Sequence, residues 1–423
     1  MGTVTFSTSS RGKNLSREAE AGLLSRVFKS FEYRDFRIMW IGACTSSIGT
    51  WMQKLAQSWL VFELSQSPFM LGLDAFLGEI PIFLFSLIGG VIADRVERRK
   101  LLLGSQVVQM SCAVVLTFLF AFHLVHVWHI LALSFVVGMA QSFGGPAYSA
   151  LIPTLVKPED LPNAIALNSI QFNLARVVGP VLGGLALANW GAAWCFGLNG
   201  VSFLAVIASL LIVRTRFMPK KTGETLLQSM QQGIAFVRKQ PAMESLIVLA
   251  FCMTMLAIPL IVFLPVFAHD VLHGDARTFS LLLGGSGVGS VVGALVVAWL
   301  GRLKRQGRFA LIMLVILGCV ITGFALSRNP ILSAVLVFIA GGALISVLAM
   351  ISSLVQAITT DEMRGRVMSV YNVAFRGGMP FGSLFIGSLA KGFGVPNVLA
   401  CNGILLAMLG IYFLTVNRKI SAL

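Results

Sequence analysis

GGVIADRVERRK, residues 89–100, is where a long apolar run ends at an acid and enters a cluster of basic residues. Apolar residues resume at Leu101, so only a tight, water-exposed turn separates two long apolar segments. Each is long enough to cross a bilayer as a helix, which takes about 20 residues. Lys and Arg near helix ends collect on the cytoplasmic side, because moving them across a membrane is disfavoured, and that places this turn in the cytoplasm. A carboxylate such as Asp94 at the end of one helix is suited to accept hydrogen bonds from an Arg or to face the positive N-terminus of another helix. Two readings follow: a contact that holds and then releases two parts of the protein, or a topogenic turn that only sets orientation.

Outward from this turn the whole chain has the same character. Of 423 residues, 57% are hydrophobic and only 12% charged, with a mean hydropathy of +0.86. Soluble domains carry about 25% charged residues, so the composition predicts an all-α polytopic membrane protein. Twelve spans are expected, beginning near Arg37, Met70, Leu101, Ile130, Pro162, Ala193, Pro241, Phe279, Phe309, Ile331, Arg366 and Pro396. The net charge of +15 is not a nucleic-acid footprint, because its distribution follows topology. Of the 32 Lys and Arg, 26 fall on the side shared by the N-terminus and the Asp94 turn. Arg277, Arg328 and Lys391 fall on the other side, and Lys54, Arg176 and Arg376 lie inside spans. This is positive-inside topology with both termini cytoplasmic.

The six cysteines are scattered singly through apolar segments, which suggests neither a disulfide framework nor a zinc site. No metal or cofactor is implied, and the short loops leave no room for a catalytic domain. The expected organisation is a cytoplasmic tail over 1–36, with a short interfacial helix around Ala21 to Phe31, and a six-helix bundle over 37–213. A cytoplasmic linker with an amphipathic helix follows over 214–240, then a second six-helix bundle over 241–416 and a tail over 417–423. The linker's apolar residues Leu226, Leu227, Met230, Ile234 and Phe236 suit a helix lying on the surface. The two halves echo each other: Arg176-x-x-x-Pro180 and Arg376-x-x-x-Pro380 stand 200 residues apart, each shortly after an acidic turn. Such internal repetition is typical of secondary transporters with a site between two related bundles. Gly285, Gly289 and Gly293, with Gly179 and Gly183, and Gly378 and Gly382, form small-residue faces for close helix contact.

Charges inside spans are the chief pointer to mechanism, since an ionisable group in a bilayer persists where it is paired or lines a wet cavity. Glu79, Arg176 and Arg376 fall near mid-membrane, and Lys54 and Asp74 in the outer half. The expected pairs are Glu79 with Arg176 or Arg376, and Lys54 with Asp74. Glu79 and Asp74 are candidates for proton coupling; Lys54, Gln57, Tyr148, Arg176 and Arg376 are candidates for the substrate pathway. A static ion pair that fixes helix packing is the competing reading. The histidines form two groups, HLVHVWH (123–129) and His269 with His273, in loops assigned to the outside. They suit external pH sensing, metal binding or plain polar surface.

Gly90-x-x-x-Asp94-Arg95-x-x-Arg98-Arg99 resembles the turn between helices 2 and 3 of the major facilitator superfamily, with Glu97 where that pattern has Gly. Glu97 is there placed to pair with a neighbouring Arg. Gly179-Pro180-x-x-Gly183-Gly184 resembles a fifth-helix motif of antiporting members; a bent, closely packed helix explains it equally well. SSIGTWMQ (46–53), Ala56-Gln57-Ser58-Trp59-Leu60-Val61 and Arg364-Gly365-Arg366-Val367 resemble the enterobactin-exporter-like or transmembrane secretion effector branch. Lys54 and Pro146-Ala147-Tyr148 depart from it. The resemblance implies a fold of two pseudo-symmetric six-helix bundles and proton-coupled export of an amphipathic small molecule such as a drug, siderophore or other secreted metabolite. It also implies a bacterial inner-membrane protein acting as a monomer. Uptake or lipid-related transport on the same fold, or a non-transporting sensor or scaffold, are the alternatives.

Overall fold

A computed structural model describes residues 28–213, 226–300, 305–360 and 362–422. In a bilayer every backbone polar group must be satisfied within the protein, and helices do this locally. Twelve long helical spans result: α1 (Arg34–Ser65), α2 (Pro68–Arg95), α3 (Arg98–Ala121), α4 (Val127–Leu151), α5 (Leu161–Trp190), α6 (Ala192–Ile212), α7 (from Pro241–Ala257 through short segments to Val271), α8 (Ala276–Leu300), α9 (Gln306–Leu326), α10 (Pro330–Ala357), α11 (Arg364–Phe393) and α12 (Val395–Thr415). Most begin one to three residues earlier than the apolar pattern suggests, and α1, α3, α9 and α11 do so on polar or basic first turns. Asn329 caps α10 by accepting from Ile331 N at 2.9 Å and Leu332 N at 3.1 Å, with Pro330 at the first helical position. Asp275 accepts from the amides of Arg277 and Thr278 at the start of α8, and the Thr278 amide holds its carboxyl below the usual range.

By length and composition ten of the helices are apolar enough to span a membrane. The other two are α1 and α11, as long as the rest but richer in polar and basic residues. Pro259 and Pro265 break α7, and its last turn, Phe267–Val271, is π-helical. His269, expected in a loop, therefore belongs to the end of a span. Of the expected interfacial helix near the N-terminus, residues 21–27 lie outside the described residues. Lys29–Glu32 forms a 3-10 turn latched to the α4–α5 connection: Lys29 Nζ lies 2.8 Å from Asp160, and the Tyr33 hydroxyl donates to the same carboxylate at 2.7 Å.

The two bundles repeat one packing scheme. In the first, α1 packs on α5 and α6, α2 on α4, and α3 between α4 and α6; in the second, α7 packs on α11, α8 on α10, and α9 between α10 and α12. Small residues set the approach. A Cβ at Gly179 would stand 2.5 Å from Trp51 Cβ, and one at Gly183 would stand 3.0 Å from Met52 Cα, so α5 meets α1 backbone to backbone. Gly378 and Gly382 bring α11 onto Thr254 and Met255 of α7 in the same way, and Gly89 and Gly293 bring α2 and α8 onto Ser142 and Gly342. Gly191 (φ +86°) and Gly394 (φ +77°) turn the chain at equivalent places, between α5 and α6 and between α11 and α12. The linker helix Leu226–Arg238 lies against the start of α11, where a Cβ on Gly233 would meet the Arg366 carbonyl at 2.8 Å.

Gly183→Leu and Gly382→Leu, each forcing a branched side chain into a backbone contact, are expected to destabilise the protein by about 1–3 kcal/mol. Thermal unfolding in detergent would register this as a lower midpoint for both. An unchanged midpoint would show that these helices can separate freely.

Candidate functional site

The α2–α3 turn is two residues long, Val96 and Glu97, and its charges are used locally. Arg98 Nη1 donates to the Ala150 carbonyl at 2.9 Å at the end of α4, and Arg99 Nη2 to the Leu211 carbonyl at 3.0 Å at the end of α6. Helix C-termini carry unsatisfied carbonyls and partial negative charge, so two cations there tie three helices of the first bundle together. Glu97 pairs with Lys100 at 2.9 Å rather than with an Arg, since in a helix start i and i+3 share a face. Arg95 is exposed. The tight glycine is Gly89, against Ser142, whereas a Cβ on Gly90 would meet open space. Asp94 ends within α2, but its side chain lies outside the described residues.

Among the described residues, three groupings that contain charged side chains stand within the spans. In the first, Asp74 of α2 is buried and accepts from Gln57 Nε2 of α1 at 3.0 and 3.2 Å and from the hydroxyl of Ser134 on α4. Gln57 also donates to Ser134 at 2.8 Å, closing a triangle over three helices. The expected Lys54–Asp74 ion pair is not formed. Lys54 lies instead over Trp51, 5.3 Å from its ring centroid, and Arg176 of α5 stands 5.9 Å from the same ring. Phe172 meets Trp51 edge-on at 6.2 Å and completes this second grouping.

In the third, Glu79 of α2 faces Arg376 of α11 at 3.9 Å, both partly exposed. Of the two expected partners of Glu79 the structure therefore brings up Arg376 and leaves Arg176 at Trp51. Tyr148 is tied to α5 through Asn168 Oδ1 at 2.7 Å. Gln171, beside it, reaches Ser47 of α1 at 2.7 Å. Ser134, Trp51 and Phe172 were not singled out from the sequence, since a Ser or an aromatic in an apolar run has no distinguishing signal until its neighbours are known.

The bundles meet in the half of the molecule away from the termini. There α2 packs on α11, with Gly72 against Ser383, Gly387 against Pro68 and Phe69, and Phe381 against Phe76 and Phe83 at 6.1 and 6.0 Å. On the other flank α5 packs on α8: Ser280 donates to the Pro180 carbonyl at 2.8 Å, and Gly184 makes room for Ser280. Trp59 of α1 stacks on Phe279 of α8 at 6.1 Å, and His269 packs edge-on against Trp59 and Phe62. One apolar core joins the bundles at this end and continues the length of the second bundle, while Phe36, Met39, Leu102, Leu151, Phe203 and Leu210 form a separate core in the first bundle nearer the termini.

Two pseudo-symmetric six-helix bundles joined by an ion pair between α2 and α11 have the architecture of a membrane transporter. A family model described as transmembrane secretion effector matches residues 26–421, and the chain belongs to that family, within the major facilitator superfamily. It is 22% identical over 396 residues to macrolide efflux protein A of Streptococcus pyogenes, covering 90% of this chain and 96% of that one. It is 26% identical over 367 residues to the enterobactin exporter EntS of Citrobacter koseri, covering 84% and 85%. Among solved structures, a bacterial homolog of the human lysosomal transporter Spinster matches with a TM-score of 0.72 at 15% identity, over 92% of this chain and 97% of that one. A peptide transporter POT matches with 0.74 at 13%, over 92% and 95%. At such identities the structural likeness is one of fold.

Ser134→Ala and Gln57→Leu are each expected to cost about 1–3 kcal/mol, because either leaves Asp74 short of a donor in a dry environment. The double variant should cost less than the sum, since both changes damage one triangle. Unfolding of the four proteins in detergent checks this; additive losses would mean that the donors act independently.

Proposed function

We propose that the protein is a secondary active exporter of an amphipathic small molecule, driven by inward proton flow and working by alternating access. The observation that carries this reading is the loose ion pair between Glu79 and Arg376, which joins the two bundles inside the membrane at 3.9 Å. An ion pair this loose, between residues that are both partly exposed, can be made and broken as the bundles move. Protonation removes the attraction between α2 and α11 and favours their separation, whereas loss of the proton restores it. Coupling needs no more than this difference in affinity between the two arrangements of the bundles. Asp74, held by Gln57 and Ser134 in the outer half of the spans, is a second candidate carboxylate.

The bundles, residues 37–213 and 241–416, move as the two rocking bodies, joined along the chain by the linker over 214–240. The closed end lies outside the cell and the termini inside, as the basic residues require. Arg98 and Arg99 keep the first bundle rigid as it moves, and Asp94 supplies the contact that closes the inner side. The bend and packing at Gly179, Pro180, Gly183 and Gly184 form the pivot between α1 and α8. The names of the relatives, macrolide efflux protein and enterobactin exporter, support outward transport of a secreted or toxic compound. The protein acts as a monomer in the bacterial inner membrane.

Accumulation of a panel of fluorescent drugs and siderophore-like compounds should be lower in cells expressing the wild type than in empty controls, and a protonophore should abolish the difference. Glu79→Gln should match the empty control at equal expression. Energised export that survives in Glu79→Gln/Arg376→Gln would remove the pair from coupling.

A further inference from the structure

The pathway carries more positive than negative charge at mid-span, and the surplus is gathered on one aromatic platform. We infer that Lys54, Arg176, Trp51 and Phe172 form a substrate site for a planar aromatic anion such as an aryl carboxylate. This rests on the exporter reading and specifies what that exporter takes.

The direction in which Lys54 points follows from its neighbours on α1. Trp51 lies against Gly179 of α5, and Gln57 against Asp74 of α2 and Ser134 of α4. At 100° per residue, Lys54 is about 60° from each. Gly42 and Gly49 mark the far side of α1, packed on Ser209, Ser202 and Asn199 of α6. Lys54 is exposed and projects between α5 and the α2–α4 pair, towards the second bundle. Arg176 sits on the stretch of α5 that meets α8, where its own carbonyl stands 2.9 Å from the place of a Cβ on Gly287.

Neither cation has a carboxylate within 4 Å among the described residues. The oxygens of Asp74 are engaged by Gln57 and Ser134, and Glu79 faces Arg376. The second bundle supplies no compensation. The acids within its spans, Glu244 and Asp270, lie near the two ends of α7, so no carboxylate from that bundle reaches mid-membrane. Both cations lie at the face of one indole, and Lys54 also feels the charge of Asp74 beyond ion-pair distance. Two cations drawn to one ring in a region of low dielectric repel each other, and each carries a desolvation cost.

A ligand carboxylate between them would accept charge-assisted hydrogen bonds from both, in the bidentate manner that suits a guanidinium. Its ring would stack against Trp51 or Phe172, a residue that is 52% exposed. A cationic amphiphile would instead meet two like charges, and the same arrangement therefore selects against it.

The test uses the full-length protein in lipid nanodiscs and two acids, 2-naphthoate and biphenyl-4-carboxylate, beside the amine and alcohol of the same ring systems. Binding isotherms should show saturable binding of at least one acid and none of the amines. Lys54→Gln and Arg176→Gln should each weaken acid binding about tenfold or more, the size expected from one charge-assisted contact. Lys54→Arg should retain it, with thermal unfolding midpoints confirming that the variants fold. Were a variant to unfold, progressive loss of acid binding to the wild type with added salt would support the site, and salt-insensitive binding would overturn it. Equal binding of acid and amine, no binding of either acid, or unchanged acid affinity in both Gln variants would also overturn it. Transport into inside-out vesicles separates this from the exporter reading. Uptake of amines or alcohols but not acids overturns the anion site and leaves export standing. Saturable acid binding with no proton-driven uptake overturns export and leaves the site standing.

Discussion

Close backbone contact along α5 is the constraint on which the architecture depends. Lipid tails are as apolar as leucine, so helices in a bilayer gain little from hiding apolar surface from one another and associate through packing and hydrogen bonds. Gly179 and Gly183 let α5 touch α1 within its own bundle, and Gly184, a further turn-fraction round, lets it touch α8 of the other. Helix α11 repeats the scheme, with Gly378 and Gly382 on α7 and Gly387 against α2. These two helices thus carry both the cohesion of each bundle and the joint between the bundles.

The placement of charge follows from that joint. Arg176 and Arg376 occupy related positions on α5 and α11, yet they meet different partners, an indole and a carboxylate. The difference arises because α2 brings Glu79 to α11, whereas α8, a run of Gly, Ser and Val at the same depth, brings no acid to α5. Pseudo-symmetry of the backbone is therefore combined with asymmetry of charge. Of the charged side chains deep in the spans, the first bundle holds Lys54, Asp74, Glu79 and Arg176, and the second bundle contributes Arg376.

Much of this was legible in the sequence. Twelve spans, two halves, the positive-inside pattern and the glycine faces all come from local features: hydropathy, charge at helix ends and residues four apart. The α2–α3 turn was legible as a motif, although Glu97 chose Lys100 over an Arg and Gly89, not Gly90, proved to be the packed residue. Expected pairings fared differently. Lys54 and Asp74 lie near each other, but Asp74 is already enclosed by Gln57 and Ser134, which turned an expected ion pair into a hydrogen-bonded triangle. His269 was legible as polar, not as an aromatic-packed residue of a π-helical turn, because proline breaks in α7 change the helix phase there.

By itself the sequence determined that this chain crosses a membrane many times, how its ends are charged, and which residues carry costly charge inside the spans. Each of these is a property of a residue and its near neighbours along the chain, and a bilayer reads them directly. Which charge faces which was decided only by the tertiary structure. Pairing across helices depends on rotation and depth of segments hundreds of residues apart, and both are set by where glycines allow two backbones to meet.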